Sequence, residues 1–266
     1  MFCGKCGTKI NDGDSFCTNC GAEVLKNNDN NSKQSLSDQV KKSKIIQEYP
    51  EDTLGCDMDG IFFGKYPQSD IKVEDVLYEE PIEWLILEKQ EDKVLLMSKY
   101  ILDCVLCNKN IATEYKESNL REWLNGHFLD TAFSKEELKK IIVYKTKYYD
   151  NIYKDKIFCL TAYDTAYYFN YSKIDEESDN SHKGLNNKRL TSKRTDYAKI
   201  KGVSASGDLG FGKGDGWDSG NSYFWLLWED KCWDGQPYVD FTGCIHYFGG
   251  NGLKFVGVRP VMWVKI

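Results

Sequence analysis

The sequence predicts an α+β protein in three parts: a small metal-held module, a polar linker and one larger domain. Three observations carry this. Two Cys-x-x-Cys-Gly pairs fall within residues 1–24. Residues 25–50 are dominated by Asn, Lys, Ser, Gln and Asp. Residues 51–266 place helix-like patterns in the middle and strand-like patterns at both ends, which is the order of an α+β domain and not of alternating βαβ units.

The first part rests on Cys3, Cys6, Cys17 and Cys20, with Gly7 and Gly21 directly after the second cysteine of each pair. Two thiolates separated by two residues can turn toward one ion about 2.3 Å from each sulfur. Two such pairs complete a tetrahedral four-sulfur shell, a structural site with no open position. Zn2+ is the expected ion, although iron takes the same ligands. The segment resembles the small zinc ribbons found at the N-termini of many bacterial and archaeal proteins. The linker follows, with the run Asn27-Asn28-Asp29-Asn30-Asn31 and few large apolar groups to offset chain entropy. A helix from Leu36 to Ile46 would be marginal alone.

In the domain, Ile61–Tyr66 has a strand pattern ended by Pro67, and Ile82–Leu87 with Val94–Ser98 form a hairpin across Lys89-Gln90-Glu91-Asp92. Ser118 caps a helix through Asn125 with Leu120, Trp123 and Leu124 on one face. Ser134 and Glu137 form a capping box for a second helix with a Leu138, Ile141 and Ile142 stripe. Thr161 and Asp164 start a third, to about Tyr171. After Ser204 come short β segments: Tyr223–Trp228, Tyr238–Phe241, Ile245–Phe248, Leu253–Val258 and Val261–Ile266.

Composition excludes some classes. With 41% hydrophobic and 29% charged residues among 266, a packed core is within reach. Lys plus Arg is 35 against 41 Asp plus Glu, a net charge of −6, which disfavours a general nucleic-acid binder or an anionic membrane surface as partner. Mean hydropathy is −0.55, and no run approaches the roughly 18 apolar residues that span a bilayer. The opening Met1-Phe2-Cys3-Gly4-Lys5-Cys6 has no apolar signal region. With cysteines in metal spacing, these point to the cytoplasm.

Three blocks carry a resemblance: Phe63-Gly64-Lys65-Tyr66-Pro67-Gln68, Ser118-Asn119-Leu120-Arg121-Glu122-Trp123-Leu124-Asn125 and Gly257-Val258-Arg259-Pro260-Val261. Together they resemble an uncharacterised bacterial family, a domain of unknown function often joined to an N-terminal zinc ribbon. Its C-terminal half is similar to the C-type-lectin-like fold of formylglycine-generating enzymes and of the variable proteins of diversity-generating retroelements. The resemblance implies a lectin-like, mixed or antiparallel C-terminal sheet. It supplies no agreed activity. Where that family usually has a Trp-Leu-Arg-Ser-Pro-like block, this chain has Trp225-Leu226-Leu227-Trp228-Glu229.

Among candidate residues, Arg259 lies between apolar strand residues and needs a carboxylate or carbonyls, so a structural strut is expected. Ser206–Ser222, rich in glycine with Asp208, Asp215 and Asp218, is a long loop and the best candidate binding loop. It is not a phosphate loop; a lectin-like calcium site at Asp215 or Asp218 is a minor option. Cys104-x-x-Cys107 lacks the strand-then-helix context of a redox motif. Lys183–Lys201 is locally basic, expected as a solvated loop. His127, His182 and His246 make no ligand pattern in sequence, and no nucleophile elbow occurs. The expected function is therefore non-catalytic binding of a protein or small molecule through an aromatic, glycine-rich surface that includes Trp217, Tyr223, Trp228, Asp215 and Asp218. The alternatives are an oxidase-like activity on thiols using Cys232 and Cys244, and nucleic-acid association through the ribbon and residues 183–201.

Overall fold

Two strands joined by a tight turn are the longest elements of the computed structural model, which describes residues 19, 34–107, 115–148, 151–169, 187–209, 220–227, 236–246 and 253–266. They are β1 (Ile61–Val73) and β2 (Val76–Lys89). Glu74 and Asp75 between them have φ of 53° and 66°, the left-handed pair that matches a two-residue hairpin turn to strand twist. The strand expected to end at Pro67 therefore runs on to Val73. Pro67 lies opposite Glu79 on an edge strand, where its missing N–H costs no inner ladder bond.

The predicted hairpin partner, β3 (Lys93–Ser98), pairs antiparallel with β2. The strand Val261–Lys265, named β11 below, pairs antiparallel with β3 and completes a sheet of order β1-β2-β3-β11. Both faces of this sheet are covered. Trp84, Ile86, Val94, Leu96, Met262 and Val264 enter one core; Leu85, Leu87, Leu95, Met97, Val261 and Trp263 enter the other. This is why Trp84–Leu87, Val94–Met97 and Val261–Val264 are continuously apolar and do not alternate. Each such side chain contributes about 1.5–3 kcal/mol on burial.

A second sheet is built of very short strands: β4 (Asp103–Cys104), β7 (Phe224–Trp225), β8 (Tyr238–Val239), β9 (Ile245–His246) and β10 (Gly257–Val258). Their order is β4-β10-β7-β8-β9, with β10 and β7 parallel and the other pairs antiparallel. A separate hairpin joins β5 (Tyr144–Tyr148) to β6 (Asn151–Asp155). The chain is thus α+β with mainly antiparallel sheets.

The three predicted helix starts are where the caps place them. Ser118 Oγ accepts the Arg121 N–H at 3.1 Å and opens α2 (Asn119–Trp123). A wide helical turn, Leu124–Phe128, leads on to α3 (Leu129–Ala132). Ser134 and Glu137 cap α4 (Lys135–Leu138), which is a single turn. The predicted apolar stripe is not a helix face: Ile141 bridges Val264, and the Ile142 N–H donates to the Trp263 carbonyl at 2.9 Å. The open edge of β11 captures this segment because its backbone groups need partners. Thr161 and Asp164 cap α5 (Ala162–Tyr168), and Thr195 caps α6 (Asp196–Ile200).

The linker expectation for 25–50 is corrected at its C-terminal end. α1 (Leu36–Lys42) is capped by Ser35 and packs on β1, with Leu36 and Val40 in the same core as Ile61 and Phe63. Gln39 Oε1 accepts the Phe62 N–H at 2.8 Å, covering the sheet edge. Ile46 is buried in the other core. The helix considered from Leu36 thus forms, ending at Lys42, and the cores it packs on supply the stability it would lack alone.

Candidate functional site

A cavity of about 310 Å³ opens where β4, the α2 run and the end of α6 meet, lined by Asp103, Cys104, Asn119, Trp123, His127 and Lys201 together with Val105 and Leu106. Asp103 is its buried floor, and His127 and Lys201 are exposed at its rim. Behind the floor, the Tyr66 hydroxyl donates to Asp103 Oδ2 at 2.7 Å. The Cys104 N–H donates to Oδ1 at 2.6 Å. The Tyr66 ring is held edge-on by Trp123, Phe128 and Tyr197 at 6.3, 5.2 and 5.9 Å, so the phenol cannot swing away from the carboxylate.

Burial pushes the Asp103 carboxyl above its ordinary value; the hydrogen bonds from Tyr66 and Cys104 and the charges of Lys201 and His127 offset this in part. Burial, with the Asp103 charge, pushes the Cys104 thiol up to about 11. Burial alone pushes Cys107 up to about 12. Both thiols are thus held protonated at neutral pH, and the Cys104-x-x-Cys107 pair presents no thiolate.

A second cluster lies at the turn between β8 and β9. Asp240 Oδ1 accepts from the Thr242 N–H at 2.8 Å, the Thr242 hydroxyl at 2.6 Å and the Cys244 N–H at 3.1 Å. Its Oδ2 lies 2.7 Å from His246 Nε2. The Tyr238 ring stacks flat on the imidazole, 4.7 Å between centroids and 3° between planes. Gly243, at φ 83°, allows the turn to pass Asn187, whose carbonyl oxygen would lie 2.2 Å from an added Cβ. Burial acts to raise the Asp240 carboxyl, but the hydrogen bonds from His246 and Thr242, the His246 charge and the Cys244 N–H outweigh it, leaving it below the usual carboxylate range.

The model for the family described as domain of unknown function, DUF6273, matches residues 91–266. The chain belongs to this family. A zinc-ribbon domain model matches residues 2–24. No curated protein and no solved structure matches the chain. The DUF6273 match takes in the blocks at 118–125 and 257–261, while Phe63–Gln68 precedes it. In structure the block at 118–125 is an anchoring device. Arg121 pairs with buried Asp155 at 2.8 Å, and Asn125 holds the Ile157 carbonyl and the Lys156 N–H, each at 2.8 Å.

The remaining sequence-predicted residues fall in three groups. Cys3, Cys6, Cys17, Cys20, Trp217, Trp228, Asp215, Asp218 and Cys232 lie outside the described residues, and so does most of the glycine-rich loop. Tyr223, expected on a binding surface, is instead buried against Tyr238, Phe241 and Phe255, because β7 lies inside its sheet and not at an edge. Arg259 is fully buried; it donates to the carbonyls of Ser98, Leu190 and Lys99 at 3.0, 3.1 and 3.4 Å and stacks over Phe224. Two residues of the basic segment also point inward: Arg189 is buried and holds the Tyr49 and Phe169 carbonyls, and Arg194 holds the Val203 carbonyl and Asp208. Sequence reasoning did not single out Asp103 or Asp240 as site residues, and took Lys201 only as the end of the basic segment 183–201. A carboxylate directly after the apolar pair Ile101-Leu102 was the one available signal for Asp103. His246, set aside for want of a spacing pattern, is brought to Asp240 and Cys244 by the β8–β9 turn.

Proposed function

We propose that the DUF6273 domain is a non-catalytic binding module that takes a small polar ligand in the Asp103 pocket, with the zinc ribbon as a second interaction module. The carrying observation is a buried carboxylate floor facing two exposed rim bases, His127 and Lys201, across a cavity of about 310 Å³. That volume is at the small end of ligand pockets. A hydrogen-bond donor or ammonium group suits Asp103, an anionic group suits Lys201 and His127, and the Trp123 ring offers a flat apolar wall. The chemistry fits a zwitterion of amino-acid size. The protonated thiol of Cys104 favours binding over nucleophilic catalysis.

We read the ribbon as holding one structural Zn2+ through Cys3, Cys6, Cys17 and Cys20, since four thiolates fill its coordination. We read the C-terminal half as C-type-lectin-like, supported by the short mixed sheet β4-β10-β7-β8-β9. A cytoplasmic setting is supported by the thiols of Cys56, Cys104, Cys107 and Cys159. Among the described residues no helix is long and apolar enough to cross a membrane.

Thermal unfolding and calorimetric titration of the full chain against a panel of free amino acids and ω-amino carboxylates test the pocket. At least one compound should raise the midpoint of the wild type and lose that effect in Asp103→Asn and Lys201→Ala. A silent panel, or an equal rise in Asp103→Asn, would overturn the reading.

A further inference from the structure

We propose that Asp240, Cys244 and His246 form a zinc site in the C-terminal sheet, distinct from the ribbon and from the Asp103 pocket. One donor atom from each residue lies within 4.8 Å of the other two. In a tetrahedral shell with Zn–S near 2.3 Å and Zn–N and Zn–O near 2.0–2.2 Å, neighbouring ligands stand about 3.4–3.6 Å apart. From separations of at most 4.8 Å, that spacing asks for shifts of little more than about 1 Å. His246 Nε2 and Asp240 Oδ2, now 2.7 Å apart, move slightly apart as the ion takes over their contact, and the sulfur closes in.

The donor set selects the ion. A thiolate, an imidazole and one carboxylate suit zinc and do not suit calcium or magnesium, which need several oxygen ligands. The surroundings fix two of the three ligands in advance. The Asp240 carboxylate cannot turn, because Thr242 and the Cys244 N–H occupy Oδ1 and leave Oδ2 as the ligating atom. The His246 ring lies flat on Tyr238. Oriented ligands of this kind raise metal affinity. Three protein ligands leave a fourth position for an exogenous ligand, unlike the closed four-sulfur ribbon.

The test measures bound zinc per full-length chain after incubation with Zn2+ and gel filtration, in a Cys3→Ser/Cys6→Ser background that removes one knuckle of the ribbon. That protein should retain about one zinc, and adding Asp240→Asn or His246→Gln should abolish it. Asp240→Asn keeps an oxygen for the three donors of the turn but gives up the charge that faces His246, so each variant is compared with its own zinc-free unfolding midpoint. Zn2+ should raise that midpoint by about 3 °C or more in the background protein and not in either added variant. Zinc retained by both Asp240→Asn and His246→Gln, or a background protein that binds none, would overturn the proposal.

Discussion

An added Cβ at Gly64 would lie 2.6 Å from the Phe133 ring and 2.7 Å from the Ala132 carbonyl oxygen, at a φ of 72°. The clash is with a packed ring and with backbone, and the conformation itself disfavours any L side chain. Gly64→Ala should therefore lower stability by about 2–3 kcal/mol, seen as a fall in urea midpoint at unchanged slope. Asp103 gives a pH prediction. Its carboxyl is held above its ordinary value by burial, so the folded state keeps a proton that the unfolded chain has lost. Its contribution is greatest below the ordinary carboxylate range, about pH 4, and is lost as pH rises through the folded value. Asp103→Asn preserves an acceptor for Tyr66. Urea unfolding at a series of pH values should show the variant gaining on the wild type as pH rises from about 4. Arg259 was readable at this scale, because a guanidinium among strand residues must find carbonyls or a carboxylate. The Tyr66–Asp103 pair was not, since nothing local in either segment encodes the apposition of β1 and β4.

Caps were the most legible elements. Ser118, Ser134 and Thr161 each open a helix because the capping oxygen acts within three residues. Helix lengths were less legible: α4 stops after one turn because a sheet edge competes for the residues that follow. The β1–β2 turn was missed because Glu74-Asp75 is not the Asn-Gly or Asp-Gly signature its backbone normally recruits. α1 carries the prediction at this scale. A chain starting at residue 34 should unfold like the full-length domain. One starting at residue 51 should be destabilised by several kcal/mol, because Leu36, Val40 and Ile46 leave the cores and the Phe62 N–H loses its acceptor. Denaturant unfolding of the two truncations compares them directly.

At the scale of the molecule, two apolar cores hold the larger domain, whereas we read the zinc-ribbon segment as held by four thiolates on one ion. Metal-linked folding is self-contained in so short a module, so Cys6→Ser should unfold the ribbon alone. All seven tryptophans lie outside residues 1–24; the midpoint of their fluorescence unfolding should stay within about 0.5 kcal/mol of wild type, while metal content falls. The division into a cysteine-rich segment and a strand- and helix-bearing remainder was open to inspection because it rests on spacing and composition. The two-faced burial of the main sheet was not, because continuous apolar runs fit a buried helix as well as a strand. That sheet also governs how the protein is made. β3 finds its second neighbour in β11, on the far side of the whole helical middle. A chain leaving the ribosome would carry a naked apolar edge for on the order of ten seconds before residues 261–265 are synthesised. Until then the β3 edge is open to pairing with other strands, so slowing synthesis between residues 98 and 261 should raise the fraction of chains that aggregate.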